Sequence, residues 1–230
     1  MVINDMYIGK GQVVELLLDD GNRHARISCD SNLIPSPGQY LVAGTASQSD
    51  HLPVPLFSTE SITEGFIACA PVPVGWIPGT EVYIRGPLGR GFSLPQVARK
   101  VALVAFDDSP ARLRVLMLNA LKQGAAVVLI CDTSENLLPD DVEIQPLSAL
   151  GEILTWADYT AFDVTRENLL GLRLIMDGQN QIPINSEAQT LVRMPMPCGG
   201  VADCGVCAVS LKSKWKLACK DGPVFNWDEI

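Results

Sequence analysis

The chain has 230 residues, 47% of them hydrophobic and 19% charged, with a formal net charge of −9 at pH 7. That length and apolar share suit one large domain or two small ones with an appendage, and they exclude wholesale disorder. The acidic balance and the lack of a basic run argue against a nucleic-acid partner. The opening "MVINDMYIGKGQVVELLLDD" lacks the basic-then-apolar order of a signal peptide, and no apolar run approaches the roughly 20 residues of a membrane helix. The expectation is a soluble, cytoplasmic protein with no membrane partner.

Residues 1–97 read as β structure. "VVELLL" (Val13 to Leu18) is a strand, closed by the turn Asp19 to Asn22, and "HARISC" (His24 to Cys29) alternates polar and apolar as a half-buried strand does. "IPSPGQYLVAG" (Ile34 to Gly44) is a turn followed by a strand, and "GTEVYIRG" (Gly79 to Gly86) alternates again. Short strands punctuated by Gly and Pro predict a small antiparallel β-barrel.

The pattern changes at residue 98. "KVALVAF" (Lys100 to Phe106) is a continuous apolar run, as a buried parallel strand should be. "SPARLRVLMLNALKQGA" (Ser109 to Ala125) has a helical period, with Ser109 as N-cap, Pro110 as first helical residue and Gly124 just past the end. "AVVLIC" (Ala126 to Cys131) is the next buried strand, "LSALGEILTWA" (Leu147 to Ala157) a short helix and "LRLIMDG" (Leu172 to Gly178) a further strand. Residues 98–185 therefore predict a small parallel α/β domain, and 186–230 a third, Cys-rich unit. The fold class is all-β plus α/β, with no internal repeat.

Four of the seven cysteines lie in that last unit, as Cys198-x5-Cys204-x2-Cys207-x11-Cys219. In a reducing compartment such a cluster points to metal ligands rather than disulfides. Four thiolates suit tetrahedral zinc or an iron–sulfur cluster. Gly199, Gly200 and Gly205 let a loop wrap tightly and aim backbone N–H groups at sulfide. One C-x2-C pair with two isolated cysteines departs from the paired spacing of structural zinc. It favours the plant-type [2Fe–2S] pattern, with one residue more in the first gap. Zinc, and four unrelated buried thiols, are the alternatives. Cys29, Cys69 and Cys131 lie in strand-like runs and read as small core residues. His24 and His51 are too distant in sequence for a Rieske-type site. No Ser/His/Asp or Cys/His constellation supports a hydrolase.

"CGGVADCGVCAV" (Cys198 to Val209) followed by "ACKDGPVF" (Ala218 to Phe225) resembles the C-terminal segment of the electron-transfer subunit of type B dihydroorotate dehydrogenase. "GPLGRGF" (Gly86 to Phe92) and "PGQY" (Pro37 to Tyr40) resemble two further segments of that family. The resemblance implies the ferredoxin reductase superfamily architecture: a flavin-binding barrel over 1–97, a nucleotide-binding-type α/β domain over 98–185 and a [2Fe–2S] segment over 186–230. It implies a hetero-oligomer with an FMN-containing dehydrogenase subunit, whose electrons pass through the cluster to FAD and NAD+.

Carried over residue by residue, the cluster ligands are Cys198, Cys204, Cys207 and Cys219. For FAD, Phe57 and Ser58 of "PLFS" would flank the flavin ring, and Gly86, Gly89 and Gly91 come from "GPLGRGF". Pro55 replaces the family's phosphate-binding arginine, so FAD stays open, with Arg85 or Arg90 as substitute cations. For NAD, the family's glycine-rich turn is replaced by "FDDSPAR" (Phe106 to Arg112). Asp107 and Asp108 there would repel phosphates, and Asp177-Gly178 stands for the family's Cys-Gly pair after the last strand. The NAD site is expected to be lost. Lys212, Lys214, Lys216 and Lys220 offset cluster charge or line a solvated strand face, and Trp215 faces the core or a partner. The reading is an electron-transfer subunit of an oxidoreductase complex in pyrimidine biosynthesis rather than a stand-alone enzyme. Its rivals are a complete NAD-linked FAD/[2Fe–2S] reductase and a zinc-stabilised scaffold.

Overall fold

The first six strands are β1 (Tyr7–Asp19), β2 (Asn22–Cys29), β3 (Tyr40–Gly44), β4 (Val54–Ile62), β5 (Gly65–Ala68) and β6 (Glu81–Leu88), and they close into a barrel in the order β1-β2-β5-β4-β3-β6. The structure is a computed structural model that describes all residues except 1–5, 20, 21, 47–52, 70, 108, 133–137, 179–186 and 213. Asp20, His51 and Asp108 of the sequence reading lie outside the described residues. Every barrel pairing is antiparallel, as expected. Alternation sets which side chains enter. Ala25 and Ile27 of β2, Leu41 of β3 and Val82 and Ile84 of β6 fill the interior with Phe66 and Trp76.

The second sheet contains β7 (Lys100–Ala105), β8 (Ala126–Ile130), β9 (Val142–Gln145), β10 (Tyr159–Thr165) and β11 (Glu187–Arg193). These five pair in parallel in the order β11-β10-β7-β8-β9. Helix α1 (Arg114–Lys122) covers one face, burying Leu116, Met117 and Ala120 on Leu103 and Leu129. Helices α2 (Leu150–Trp156) and α3 (Leu169–Gly178) cover the other, burying Leu150, Leu154, Leu172 and Met176 on Val104, Ile130 and Phe162. A parallel sheet buried on both faces needs the uninterrupted apolar runs seen in β7 and β8. The Ser109 hydroxyl accepts the Ala111 N–H at 3.2 Å, and Pro110 opens a 3-10 turn that leads into α1. Gly124 adopts φ +76° just past the end of α1, as its position predicted.

The segment Leu172–Gly178, predicted as a strand, is the body of α3. Leu169, Leu172 and Met176 are buried while Leu170 and Leu174 are exposed, a spacing of three and four that only a helix provides. A run of seven apolar-rich residues does not separate the two periods. The strand of this region is β10, upstream.

The C-terminal segment is stitched to both sheets. Strands β12 (Ala208–Ser210) and β13 (Trp215–Leu217) form a hairpin, the single turn α4 (Ala218–Asp221) follows, and β14 (Val224–Asn226) joins β11 as an antiparallel edge strand. Among the described residues, no helix is long and apolar enough to cross a membrane.

Candidate metal centre

Cys198 follows β11 after a short strap, Cys204 and Cys207 lie on the loop before β12, and Cys219 lies in α4. Cys198 and Cys204 place their sulfurs 3.6 Å apart. Cys207 and Cys198 act electrostatically on the Cys219 thiol. Among the described residues no group of three or more Cys, His, Asp or Glu side chains gathers around a single metal-ion position. A [2Fe–2S] cluster takes two protein ligands on each iron, so its four sulfurs need not surround one metal position. The loop can carry this arrangement because Gly199, Gly200 and Gly205 adopt φ of +51°, +84° and +73°, where a side chain would be strained.

The electrostatics divide the four thiols. Backbone hydrogen bonding with Ala202 and Gly200 brings the Cys198 pKa down to about 7, and the Cys198 thiol donates to the Ala202 carbonyl at 3.3 Å. Burial pushes the Cys219 thiol up to about 12. Cys204 is exposed and Cys207 is buried. The donor set and its loop conformation fit an iron–sulfur cluster with thiolate ligands. Cys69 and Cys131 are buried and Cys29 half-buried, all remote from this site.

The barrel supplies the floor of the site. The Tyr40 hydroxyl donates to the Cys219 carbonyl at 3.1 Å. Arg85 Nη2 donates to the carbonyls of Cys198 at 3.1 Å and Gly199 at 2.9 Å. The two sequence motifs quoted for the family meet each other here. Arg90 donates its backbone N–H to Gly222 at 2.6 Å, and a Cβ on Gly89 would lie 2.5 Å from the Gly222 carbonyl and 2.6 Å from Pro223. Gly89 also sits at φ +72°. Gly89→Ala is therefore expected to cost about 2 kcal/mol through strain and overpacking, lowering Tm and loosening the segment that carries Cys219. Thermal melting with an iron assay on the same sample checks it.

The flavin candidates are engaged with the chain itself. Phe57 is half-buried, its ring 6.2 Å from that of Tyr40. Ser58 is buried and its hydroxyl donates to the Glu60 carbonyl at 3.0 Å. A Cβ on Gly86 would meet Leu41, and one on Gly91 the Pro37 carbonyl. Gly91 also borders a cavity of about 350 Å3 lined by Arg90, Ser93, Gln189 and Asn226. Arg85, one of the two substitute cations, is committed to the cysteine loop.

The carboxyl ends of β7, β10 and β11 are the crevice where an open parallel sheet takes its ligand. The protein fills it with its own ions. Asp163 of β10 is 1% exposed and accepts Arg112 Nε at 2.8 Å and Arg193 Nε at 2.5 Å. Arg193 also pairs with Asp107. Asp107 accepts the Thr165 hydroxyl at 2.5 Å, the Thr165 N–H at 2.8 Å and the Asn168 amide at 2.9 Å. Arg112 reaches Cys69 of the barrel at 3.5 Å. Asp107 is thus a member of an internal network. Asp177-Gly178 ends α3 and does not follow a strand, so the expected equivalence to the Cys-Gly pair is corrected. The residues that follow β10 are Arg166 and Glu167.

Burial would raise the Asp107 carboxyl, but the Thr165 and Asn168 hydrogen bonds and the Arg193 charge outweigh it and hold it below its usual value. A depressed carboxylate stabilises the fold above its unfolded pKa near ~4, and that stability is lost as pH falls through the lower folded value. Acid unfolding should therefore show wild type losing its advantage over Asp107→Asn below about pH 4. Chemical denaturation of both proteins across that range checks it.

Of the lysines, Lys216 pairs with Glu229 at 2.6 Å, Lys220 with Asp203 at 2.5 Å, and Lys212 donates to the Asp228 carbonyl. Trp215 is 71% exposed, so it faces away from the core. It lies across the β12–β13 hairpin from Ser210. Val201 and Val206, which flank Cys204 in the loop, are exposed as well. Sequence reasoning gave no role here to Tyr40, Arg112, Asp163 and Arg193, and it offered Arg85 for a flavin phosphate rather than for the cysteine loop. Only Asp163 carried a local signal, a charge inside the apolar strand "YTAFDVT".

Residues 195–230 match the family model of the iron–sulfur cluster binding domain of dihydroorotate dehydrogenase B. The chain is 27% identical over 173 residues to the dihydroorotate dehydrogenase B (NAD(+)) electron transfer subunit of Clostridium perfringens, covering 67% of this chain and 68% of that one. The chain resembles the type B dihydroorotate dehydrogenase electron-transfer subunit. Solved structures agree on the fold. The NADH-dependent reduced ferredoxin–NADP oxidoreductase superposes with a TM-score of 0.72 at 17% identity, over 95% of this chain and 88% of that one. The Amycolatopsis cytochrome P450 reductase superposes with a TM-score of 0.62 at 13% identity, over 84% and 72%. The fold is thus the ferredoxin reductase fold with a C-terminal cluster-binding domain.

Proposed function

We propose that the protein is the iron–sulfur electron-transfer subunit of a dihydroorotate dehydrogenase-like complex in pyrimidine biosynthesis, working in the cytoplasm beside an FMN-containing dehydrogenase subunit. The observation that carries this reading is that Cys198, Cys204, Cys207 and Cys219 all lie in the segment that matches the cluster-binding domain, with the Cys198 and Cys204 sulfurs 3.6 Å apart. In this reading 1–97, 98–185 and 186–230 are the barrel, the α/β unit and the cluster-binding segment, and the four cysteines are the ligands. A bound [2Fe–2S] cluster supplies one-electron transfer here. The chain's own residues do the rest. Gly199, Gly200 and Gly205 fold the loop, and Tyr40 and Arg85 hold the two ends of the ligand set to the barrel.

Cys204, Val201 and Val206 on the ligand loop and Trp215 on the neighbouring hairpin are each exposed, and in this reading they belong to the face offered to the dehydrogenase subunit. The α/β unit takes no part in nucleotide binding, because Asp107, Asp163, Arg112 and Arg193 neutralise one another where phosphates would need free cations. FAD is compatible with the barrel fold, and no step is assigned to it.

The test is an anaerobic preparation assayed for iron, sulfide, zinc and flavin, with an absorption spectrum. Two irons and two sulfides per chain are expected. Stoichiometric zinc in a colourless protein would replace this reading with a non-redox scaffold, and bleaching of the protein's own chromophore by NADH would replace it with a complete NAD-linked reductase.

A further inference from the structure

Arg85 reaches the loop of the first cysteine through its carbonyls. Lys216 and Lys220 each pair with a carboxylate, Glu229 and Asp203. Among the described residues Arg85 has no carboxylate within reach. Its guanidinium spends Nη2 on the carbonyls of Cys198 and Gly199, and Nη1 lies 3.6 Å from the Met6 sulfur. The contact is built to fit. A Cβ on Gly199 would lie 2.4 Å from Arg85 Nη2 and 2.5 Å from Val42, so the loop admits only glycine against this arginine. On the barrel wall Val42 of β3 pairs with Pro55 of β4 on one side and with Arg85 of β6 on the other. The arginine therefore lies two strands from the proline that stands where the family has its phosphate-binding arginine.

We propose that Arg85 is a positioning residue that pins the loop of the first cysteine ligand and sets the reduction potential of the cluster held there. The inference rests on the cluster reading given above. The physical case is direct. A cluster with four thiolate ligands is negatively charged, and it gains one further negative charge on taking an electron. A half-buried guanidinium with no counter-charge interacts more strongly with the reduced form than with the oxidised form, so it raises the potential. Its two hydrogen bonds to carbonyls at the first ligand also fix where that ligand points, as groups just outside a metal's own ligands do. The barrel, on this account, is a socket for the cluster loop.

The experiment uses full-length, anaerobically purified protein. Wild type, Arg85→Gln and Arg85→Lys are titrated by absorbance and by electron paramagnetic resonance. Arg85→Gln should keep wild-type iron and sulfide content while its potential falls by at least about 59 mV, a tenfold change for one electron. Arg85→Lys, which keeps the charge, should stay well inside that shift. An unchanged potential in Arg85→Gln with a full cluster overturns the inference. If Arg85→Gln cannot be isolated with iron, Arg85→Lys decides: a near-wild-type potential supports the role of the charge, and a fall of tenfold or more overturns it. Wild-type protein without iron and sulfide would instead defeat the cluster reading itself, which separates the two failures.

Discussion

Cys204→Ser should yield a folded, colourless protein that has lost its cluster. Cys204 is exposed, and the Gly205 beside it has open space around its Cα. A serine there disturbs no packing and buries no new polar group, so the fold keeps its stability to within about 0.5 kcal/mol. The ligand, however, is gone. A hydroxyl at that position binds iron far more weakly than a thiolate, and a cluster held by three sulfurs is expected to dissociate during purification. Cys207 and Cys219 are 1% and 5% exposed, so replacing them would mix cluster loss with the cost of a buried hydroxyl. Cys131→Ser is the control, since Cys131 is buried beneath the α/β sheet and should keep full colour. Iron and sulfide per chain, visible absorption and a thermal melt on the three proteins make the comparison. Unchanged colour in Cys204→Ser would remove it from the ligand set.

Asp163→Asn is the substitution expected to cost most in stability. Its carboxylate sits between Arg112 and Arg193, with only 1% of its side chain reaching solvent. Removing one member of a buried ion network leaves the others uncompensated, at about 3–5 kcal/mol. For a domain of this size each kcal/mol is worth about 2–4 °C, so Tm should drop by roughly 10 °C. The effect should exceed that of Asp107→Asn, because Asp107 also keeps Thr165 and Asn168 as neutral partners. The network has a consequence for the metal centre as well. Arg193 ends β11, and the strap from Met194 to Pro197 leads directly to Cys198. Asp163→Asn should therefore lose iron faster on mild heating than wild type, although it touches no cysteine. Differential scanning calorimetry and timed chelation measure the two effects.

What the sequence determined by itself was local. Alternation along His24 to Cys29 and Gly79 to Gly86 marked half-buried strands, and the barrel observed places Ala25, Ile27, Val82 and Ile84 inside on that period. The unbroken runs of β7 and β8 marked parallel strands, and Ser109, Pro110 and Gly124 marked the ends of the helical segment between them. Cysteine spacing and glycine content marked the metal segment, because ligand type and loop conformation are written within a few residues of each other. Period gave the wrong element at Leu172 to Gly178, where the run is too short to read, and it left β4, β5, β9, β10 and β11 unmarked.

Tertiary structure decided everything that depends on distant residues meeting. Arg112 and Asp163 are 51 positions apart, Arg193 and Asp107 86, and Arg85 and Gly199 114. No local pattern specifies such pairs. They arise when parallel strands bring their carboxyl ends to one edge and when the C-terminal segment folds back across the barrel to add β14 to the second sheet. Only then do Asp107 before the helical segment and Asp163 on β10 become internal partners of Arg112 and Arg193, and only then does an arginine on a barrel strand reach the carbonyl of the first cysteine.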